Sequence, residues 1–247
     1  MIAIVTGGGS GFGEGICRLF AAEGAKLVVA DIDKEAGERV RSEIGAAGGD
    51  AIACPTDVGD SRSMENLIRT SARHFGRIDV MVNNAGICHA SQPMLDVPEE
   101  VFDRIFRVNV KSIYLSAIHC VPVFRRQGGG TFVNIASTAG VRPRPGLTWY
   151  NGSKGAVIIL TKSMAVELAP DKIRVNAINP VIGDTGVLKS ILGGDDTPER
   201  RAKFVATIPL GRMSRPADIA NAALFLADPA SDLVTGACIE VDGGRCI

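Results

Sequence analysis

The feature that most constrains this chain is an alternation of two kinds of segment. Short β-branched runs precede helix-like stretches: Ile2 to Thr6 before Phe12 to Glu23, then Lys26 to Asp31 before Lys34 to Ala47. Later strands are expected at Ala51 to Cys54, Ile78 to Val82, Thr131 to Ala136, Ile173 to Ile178 and Cys238 to Val241. Helices are expected near Ser61 to Phe75, Glu99 to Val121, Tyr150 to Leu168 and Pro216 to Leu226. The strand candidates are near-continuous apolar runs with no polar alternation, the pattern of parallel strands covered on both faces. That pattern predicts an α/β fold, a doubly wound parallel sheet with helices on both faces. No Pro/Ser-rich linker, charge run or repeat divides the 247 residues, so one domain over 1–247 is expected. The stretch at about 181–215 has no clear strand and carries Gly183, Gly186, Gly193 and Gly194; an interruption of that length in a compact domain is read as a functional loop, often a lid.

Charge and hydropathy remove several classes of function. Lys+Arg and Asp+Glu both number 27, so the net charge of zero offers nothing to attract a polyanion, and nucleic acid is not an expected partner. The longest apolar runs, such as Leu27 to Ala30 and Val157 to Leu160, fall far short of the roughly 18 residues of a membrane span. Met1 leads straight into Ile2-Ala3-Ile4-Val5 with no basic region or cleavage pattern, and the expectation is a cytoplasmic protein. The six cysteines are scattered without C-x-x-C spacing, and adjacent pairs such as Cys88-His89 and His119-Cys120 are poorly placed to close on one ion, so no metal site is expected.

The loop after the first strand reads Thr6-Gly7-Gly8-Gly9-Ser10-Gly11-Phe12-Gly13 and opens directly into a helix. Such a loop points backbone N–H groups and the positive helix end at a pyrophosphate, while glycines remove the Cβ atoms that would block its approach. The spacing is T-G-x-x-x-G-x-G through Gly7, Gly11 and Gly13, not G-x-G-x-x-G. Eighteen residues past Gly13 the second strand ends at Asp31. An acid there can accept hydrogen bonds from the adenosine ribose and repels the additional phosphate of NADP, so NAD is the expected dinucleotide. Asp31 can equally be a helix cap, a role open to Asp33 as well.

Tyr150 and Lys154 stand at i and i+4, one turn apart on a helix face. An ammonium there is expected to favour the phenolate and lower the Tyr150 pKa from its usual value of about 10, making an acid/base. Gly152 and Gly155 weaken that helix by about 1 kcal/mol each relative to Ala, which suggests a close approach, with the nicotinamide ring as the expected visitor. Ser137 follows the strand Thr131 to Ala136, at the carboxyl end where ligands of such sheets bind.

Taken together these residues resemble the short-chain dehydrogenase/reductase family over nearly the whole chain. The pieces that match are Thr6 to Gly13, Asp57-Val58, Asn83-Asn84-Ala85-Gly86, Asn109, Ser137, Tyr150 with Lys154, and Asn179-Pro180 followed by Thr185. The resemblance implies a Rossmann-type fold and a tetrad of Asn109, Ser137, Tyr150 and Lys154, in which Asn109 holds a water of the proton relay. It also implies a cofactor touched by Gly7, Ser10, Gly11, Phe12 and Gly13, by Asp57 and Val58 at the adenine, by Asn84, Ala85 and Gly86, by Tyr150, by Lys154 at the nicotinamide ribose, and by Pro180 and Thr185 near the carboxamide. A homotetramer is implied as well. One departure stands out: the family usually has Gly after Pro180, and here Val181 narrows that space.

The expected reaction is NAD-dependent interconversion of a secondary alcohol and a ketone. The alternatives are an NADPH-dependent 3-oxoacyl-carrier-protein reductase and a catalytically silent dinucleotide-binding protein. The substrate is weakly specified. Arg142 and Arg144 follow Ser137 and can bind a carboxylate or phosphate, though such arginines are more often solvated or at subunit contacts. Trp149, His89 and Leu188 are candidate pocket residues, with Trp149 expected to pack at the helix start.

Overall fold

The computed structural model describes residues 1–183 and 197–247. Among the described residues seven strands form one parallel sheet in the order β3-β2-β1-β4-β5-β6-β7. They are β1 (Ile2–Thr6), β2 (Lys26–Asp31), β3 (Ala51–Pro55), β4 (Val80–Asn83), β5 (Gly130–Ile135), β6 (Ile173–Pro180) and β7 (Cys238–Val241). Among the described residues the main helices are α1 (Gly11–Ala22), α2 (Lys34–Ala46), α3 (Ser61–Phe75), α4 (Glu99–Phe106), α5 (Ser112–Gln127), α6 (Thr148–Leu168), α7 (Pro198–Val205) and α8 (Pro216–Ala227).

Strand periodicity divides the core. Ala3 and Val5 of β1 face one layer, where Ile16 and Phe20 of α1, Val40 and Ile44 of α2, and Ile219 and Ala223 of α8 cover the sheet. Ile4, between them, faces the other layer, packed with Met64 and Leu67 of α3, Leu115 and Phe124 of α5, and Leu168 of α6. Burial of both strand faces is why the runs are apolar throughout. β2 and β3 wind outward from β1 in one direction and β4 to β7 in the other, so the chain reverses between β1 and β4. The crevice at the carboxyl ends of those two strands is where this architecture binds ligands.

Two stretches depart from the sequence reading. Glu99 to Val121 is not one α-helix: Arg107–Lys111 is a π-helical turn between α4 and α5. The extra residue in that turn re-aims Asn109, and such bulges are frequent at functional sites. β4 starts at Val80 and not at Ile78, because the Ile78 amide donates to Gln127 Oε1 at 3.3 Å outside the ladder. Within 181–215, the described residues contain α7 and a parallel bridge between Gly183 and Ser214.

Candidate active site

The site begins with the loop joining β1 to α1. Gly7 and Gly11 have φ of 63° and 55°, a conformation that disfavours residues with side chains. A Cβ on Gly13 would lie 2.0 Å from the Gly7 carbonyl oxygen, so the first helical turn can fold back on the loop only because that position is glycine. Ser10 is the N-cap of α1 and makes no side-chain cap, which leaves the first N–H groups of the helix to a ligand. This cradle fits a pyrophosphate.

The loop after β4 is bolted to the same cradle. Thr6 Oγ1 accepts from the amides of Asn84 (3.0 Å) and Ala85 (3.1 Å), and Asn84 Nδ2 donates to Thr6 O (2.8 Å) and Gly7 O (3.2 Å). Asn83 turns away, donating to Asn134 Oδ1 in the interior.

Asp31 sits at the end of β2 with Oδ2 accepting from the Gly9 amide (2.8 Å) and Oδ1 from the Asp33 amide (2.9 Å). The helix-cap role belongs to Asp33, which accepts from Glu35 and Ala36. Arg39 also reaches this mouth, donating to Gly9 O at 2.8 Å, but its guanidinium is paired with Glu14 and Glu43. The carboxylates therefore dominate where the adenosine ribose would lie. Asp57 and Val58 follow β3, away from the central cleft. Burial opposes the Asp57 charge, yet the Gly59 amide and the Arg107 guanidinium hold its carboxyl below the usual range.

At the switch point lies a cleft of about 210 Å³. Gly7, Ser10, Gly11, Phe12, Asn84, Ala85, Gly86, Ser137, Tyr150, Lys154 and Pro180 of the predicted set line it. Val181, expected to narrow the space after Pro180, lines it as well. Ile87, Cys88, Ile135, Ala136, Ile182 and Gly183 line it too, and sequence reasoning misses these as a group because they carry no signal of site chemistry beyond their position near strand ends. Asn109 lies behind this wall, 2% exposed, accepting from the Ile87 amide (2.8 Å) and donating to Ile87 O (2.9 Å) and Ser153 Oγ (3.0 Å). A Cβ on Gly86 would stand 3.2 Å from Lys154 Nζ and 3.4 Å from Asn109 Oδ1, so the glycine keeps the space between those two groups open. Thr185 and Leu188 fall outside the described residues.

The electrostatics correct one expectation. Burial is the largest influence on Tyr150 and raises its phenol well above the usual value; the Cys88 thiol raises it further, while a hydrogen bond with Ser137 and the Arg144 charge pull it down. Lys154 is not among the groups that act on it. Its own pKa is lowered to about 8 by burial, and its Nζ donates to Ile135 O at 2.8 Å. The i, i+4 spacing puts both residues on one face, but the ammonium points to the β5 carbonyl and not to the phenol.

The glycines of α6 need a second correction. A Cβ on Gly152 would meet open space, and the neighbour of Gly155 is the carbonyl of Gly140 at 3.9 Å. The tight contact is at Gly140, whose Cβ would come within 2.7 Å of the Lys154 backbone. The 3-10 turn Thr138–Gly140, capped by Ser137 Oγ accepting from Ala139 N (3.1 Å), thus lies against α6 and fixes Ser137 beside Tyr150.

Arg144 differs from the expected solvated arginine. It is half-buried, its guanidinium lies 4.1 Å over the Phe204 ring of α7, and burial lowers its pKa to about 10. Arg142 is exposed and donates to Arg245 O at 2.5 Å. Trp149 packs edge-on to Phe102 and donates to Met94 O, the expected role at a helix start. His89 is buried with Nδ1 donating to Ala90 O at 2.8 Å, outside the lining of the cleft.

A family model described as enoyl-(acyl carrier protein) reductase matches residues 7–245. The chain is 47% identical over 246 residues to a 4-formylbenzenesulfonate dehydrogenase of Comamonas testosteroni, covering 100% of this chain and 98% of that one. Among solved structures it is similar to a 3-ketoacyl-(acyl-carrier-protein) reductase from Brucella melitensis complexed with NADH, at a TM-score of 0.93 and 44% identity, covering 100% of this chain and 98% of the other. It is also similar to a 7α-hydroxysteroid dehydrogenase complexed with NADH and 7-oxo glycochenodeoxycholic acid, at a TM-score of 0.92 and 37% identity, covering 98% and 93%.

Proposed function

Since the chain belongs to the short-chain dehydrogenase/reductase family, we propose that it transfers a hydride between NAD and a secondary alcohol or its ketone, with Tyr150 as the acid/base. The observation that carries the reading is the meeting of Ser137, Tyr150 and Lys154 in the same cleft as the glycine cradle. A silent dinucleotide-binding protein has no use for that meeting.

The bound nicotinamide supplies the hydride acceptor; the side chains do the rest. Tyr150, kept protonated by burial, would give its Oη proton to a ketone oxygen as hydride arrives from NADH. In the reverse direction the phenolate would take the hydroxyl proton, so that a secondary alcohol and NAD⁺ interconvert with a ketone, NADH and one proton. Ser137 Oγ donates to the oxygen that becomes the carbonyl, and its hydrogen bond with Tyr150 already pulls the phenol toward ionisation. Lys154, charged below pH about 8, would reach the nicotinamide ribose, and a water held by Asn109 would continue the proton relay across the gap at Gly86. Tyr150 is 9% exposed, so bulk water does not compete for its proton.

NAD is favoured over NADP because the Asp31 carboxylate ends β2 beside the glycine loop and the nearby cation, Arg39, is paired with Glu14 and Glu43. That acid separates cofactors but not substrate classes, since the Brucella relative is named a ketoacyl reductase and was solved with NADH. The formyl group in the name of the Comamonas relative supports a second reading, oxidation of an aldehyde through its hydrate, which presents the same H–C–O–H to Tyr150. We take the protein to be a homo-oligomer, with Tyr114 and Ile118 of α5 and Ile159 and Val166 of α6 as the exposed apolar face that a second copy covers.

The test is a fluorescence titration with NADH and NADPH, joined to turnover of a panel of secondary alcohols and aldehydes with NAD. NADH binding at least about tenfold tighter than NADPH is expected, from repulsion worth about 1.4 kcal/mol. A preference for NADPH moves the ketoacyl-reductase reading to first place, and no turnover on any substrate leaves the silent reading.

A further inference from the structure

Behind Val181 and Ile182 of the cleft wall, Phe204 carries a cation that forms no ion pair among the described residues. Arg144 lies 4.1 Å over the Phe204 ring, and Arg245 lies 5.3 Å over the same ring. Two guanidiniums thus share one aromatic ring at the junction of the 141–147 loop, α7 and the segment after β7. Among the described residues no carboxylate forms an ion pair with either one. Among the described residues no acid acts on Arg144 either: after burial, the acting groups are Arg245, a like charge, then Tyr150, Cys88 and Cys246, all neutral near pH 7. A half-buried guanidinium with five donors beside a second cation is costly to fold, and the cost is recovered when an anion enters.

The place of this pair fits a ligand and not a structural strut. Arg144 does not itself line the cleft but stacks on Phe204, which packs against Val181 and Ile182 of its lining, and its charge pulls down the buried Tyr150 phenol. The glycine cradle and Lys154 occupy the other side. Around the approach are apolar side chains: Val181, Ile182 and Phe204 in one cluster, Leu147 and Ala139 in another. We infer that Arg144, assisted by Arg245, is an anion-binding subsite of the substrate pocket, and that the substrate has an apolar body bearing a carboxylate or sulfonate at the end remote from the reacting carbon. The inference rests on the site proposed above for the reaction, but it concerns binding and is tested without turnover.

Benzoate and benzenesulfonate serve as the anionic probes and benzamide as the neutral isostere, titrated by calorimetry into the protein saturated with NADH. Charge-assisted hydrogen bonds to a desolvated guanidinium predict that the two anions bind about 10- to 100-fold tighter than benzamide. In Arg144→Met, which keeps an apolar chain against Phe204, that ratio collapses toward one, and Arg144→Lys recovers part of it. Equal binding of benzoate and benzamide to the wild type, or an unchanged ratio in Arg144→Met, overturns the subsite. Selective anion binding together with absence of any turnover on the alcohol panel sustains the subsite and instead overturns the dehydrogenase reading. Should Arg144→Met not fold, the wild-type ratio and its value in Arg144→Lys still decide.

Discussion

The two halves of the cleft are built by different means. On the cofactor side the walls are backbone: positive-φ glycines, a helix start, and the amides of Asn84 and Ala85 tied to the Thr6 hydroxyl. On the side proposed for substrate they are side chains from distant segments, Tyr150, Val181 and Ile182, with Phe204 and then Arg144 stacked behind the last two. Backbone walls accept one shape of ligand and resist substitution. Side-chain walls change with each residue, so one family can keep its cofactor and vary its substrate.

The sharpest way to divide the halves is Tyr150→Phe. Loss of the acid/base is expected to lower kcat by about 10³-fold, within the usual range for such groups. NADH affinity, measured by fluorescence, is expected to stay within about threefold, since the phenol adds little to binding beside the glycine cradle. A variant that retains most of its turnover removes Tyr150 from the mechanism, and one that loses NADH affinity as well shows that the halves are not separable.

That division also explains what is legible in the sequence. The parallel strands follow from unbroken apolar runs, and the phosphate cradle from five glycines in eight residues between a strand and a helix. Such features are local, and their physics is fixed by residues a few positions apart. The i, i+4 spacing of Tyr150 and Lys154 is also legible, but its electrostatic consequence is not, because the partner of Lys154 is a β5 carbonyl nineteen positions away. The π-turn at Arg107–Lys111 has no periodic signature, since one inserted residue looks like ordinary helix drift. Arg144 reads as solvated because nothing near it in sequence announces Phe204, sixty residues on. The close approach expected at Gly152 and Gly155 exists one element away, at Gly140, for glycine patterns reveal that something comes near but not what.

Lys154 stands where the halves join, and it carries an intermediate effect on stability. Its folded pKa is about 8 against an ordinary 10.5, so between those values the unfolded chain holds a proton that the folded chain has released. The unfolded state therefore binds more protons there, and the wild type without cofactor gains stability as pH rises from about 8 to 10.5, with the full penalty present below 8. Lys154→Met removes the buried charge at the cost of one hydrogen bond to Ile135 O. In urea unfolding it is expected to be about 1 to 3 kcal/mol more stable than wild type at pH 7, and by a smaller margin at pH 10, while losing turnover. A wild type that is the more stable protein at pH 7 would show that the Ile135 bond outweighs the desolvation of the charge.

Val181 gives the smallest effect and the finest probe of the substrate wall. It is 2% exposed, packs with Ile182, Ile208, Phe204 and Met213, and lines the cleft. Its amide donates to Val241 O (3.1 Å) and its carbonyl accepts from Ser214 Oγ (2.9 Å), so the backbone stays put when the side chain is trimmed. Val181→Ala removes two methyl groups from a packed cluster, a loss of about 1 to 2 kcal/mol in stability by cavity arithmetic. The same volume becomes room for substrate: alcohols branched next to the carbinol are expected to show KM about two- to fivefold lower, while unbranched ones lose the contact and rise by a similar factor. NADH affinity should not change if the wall belongs to the substrate alone. A parallel loss of NADH binding would place Val181 against the nicotinamide, and would make this strip of β6 a shared boundary between backbone-built and side-chain-built halves.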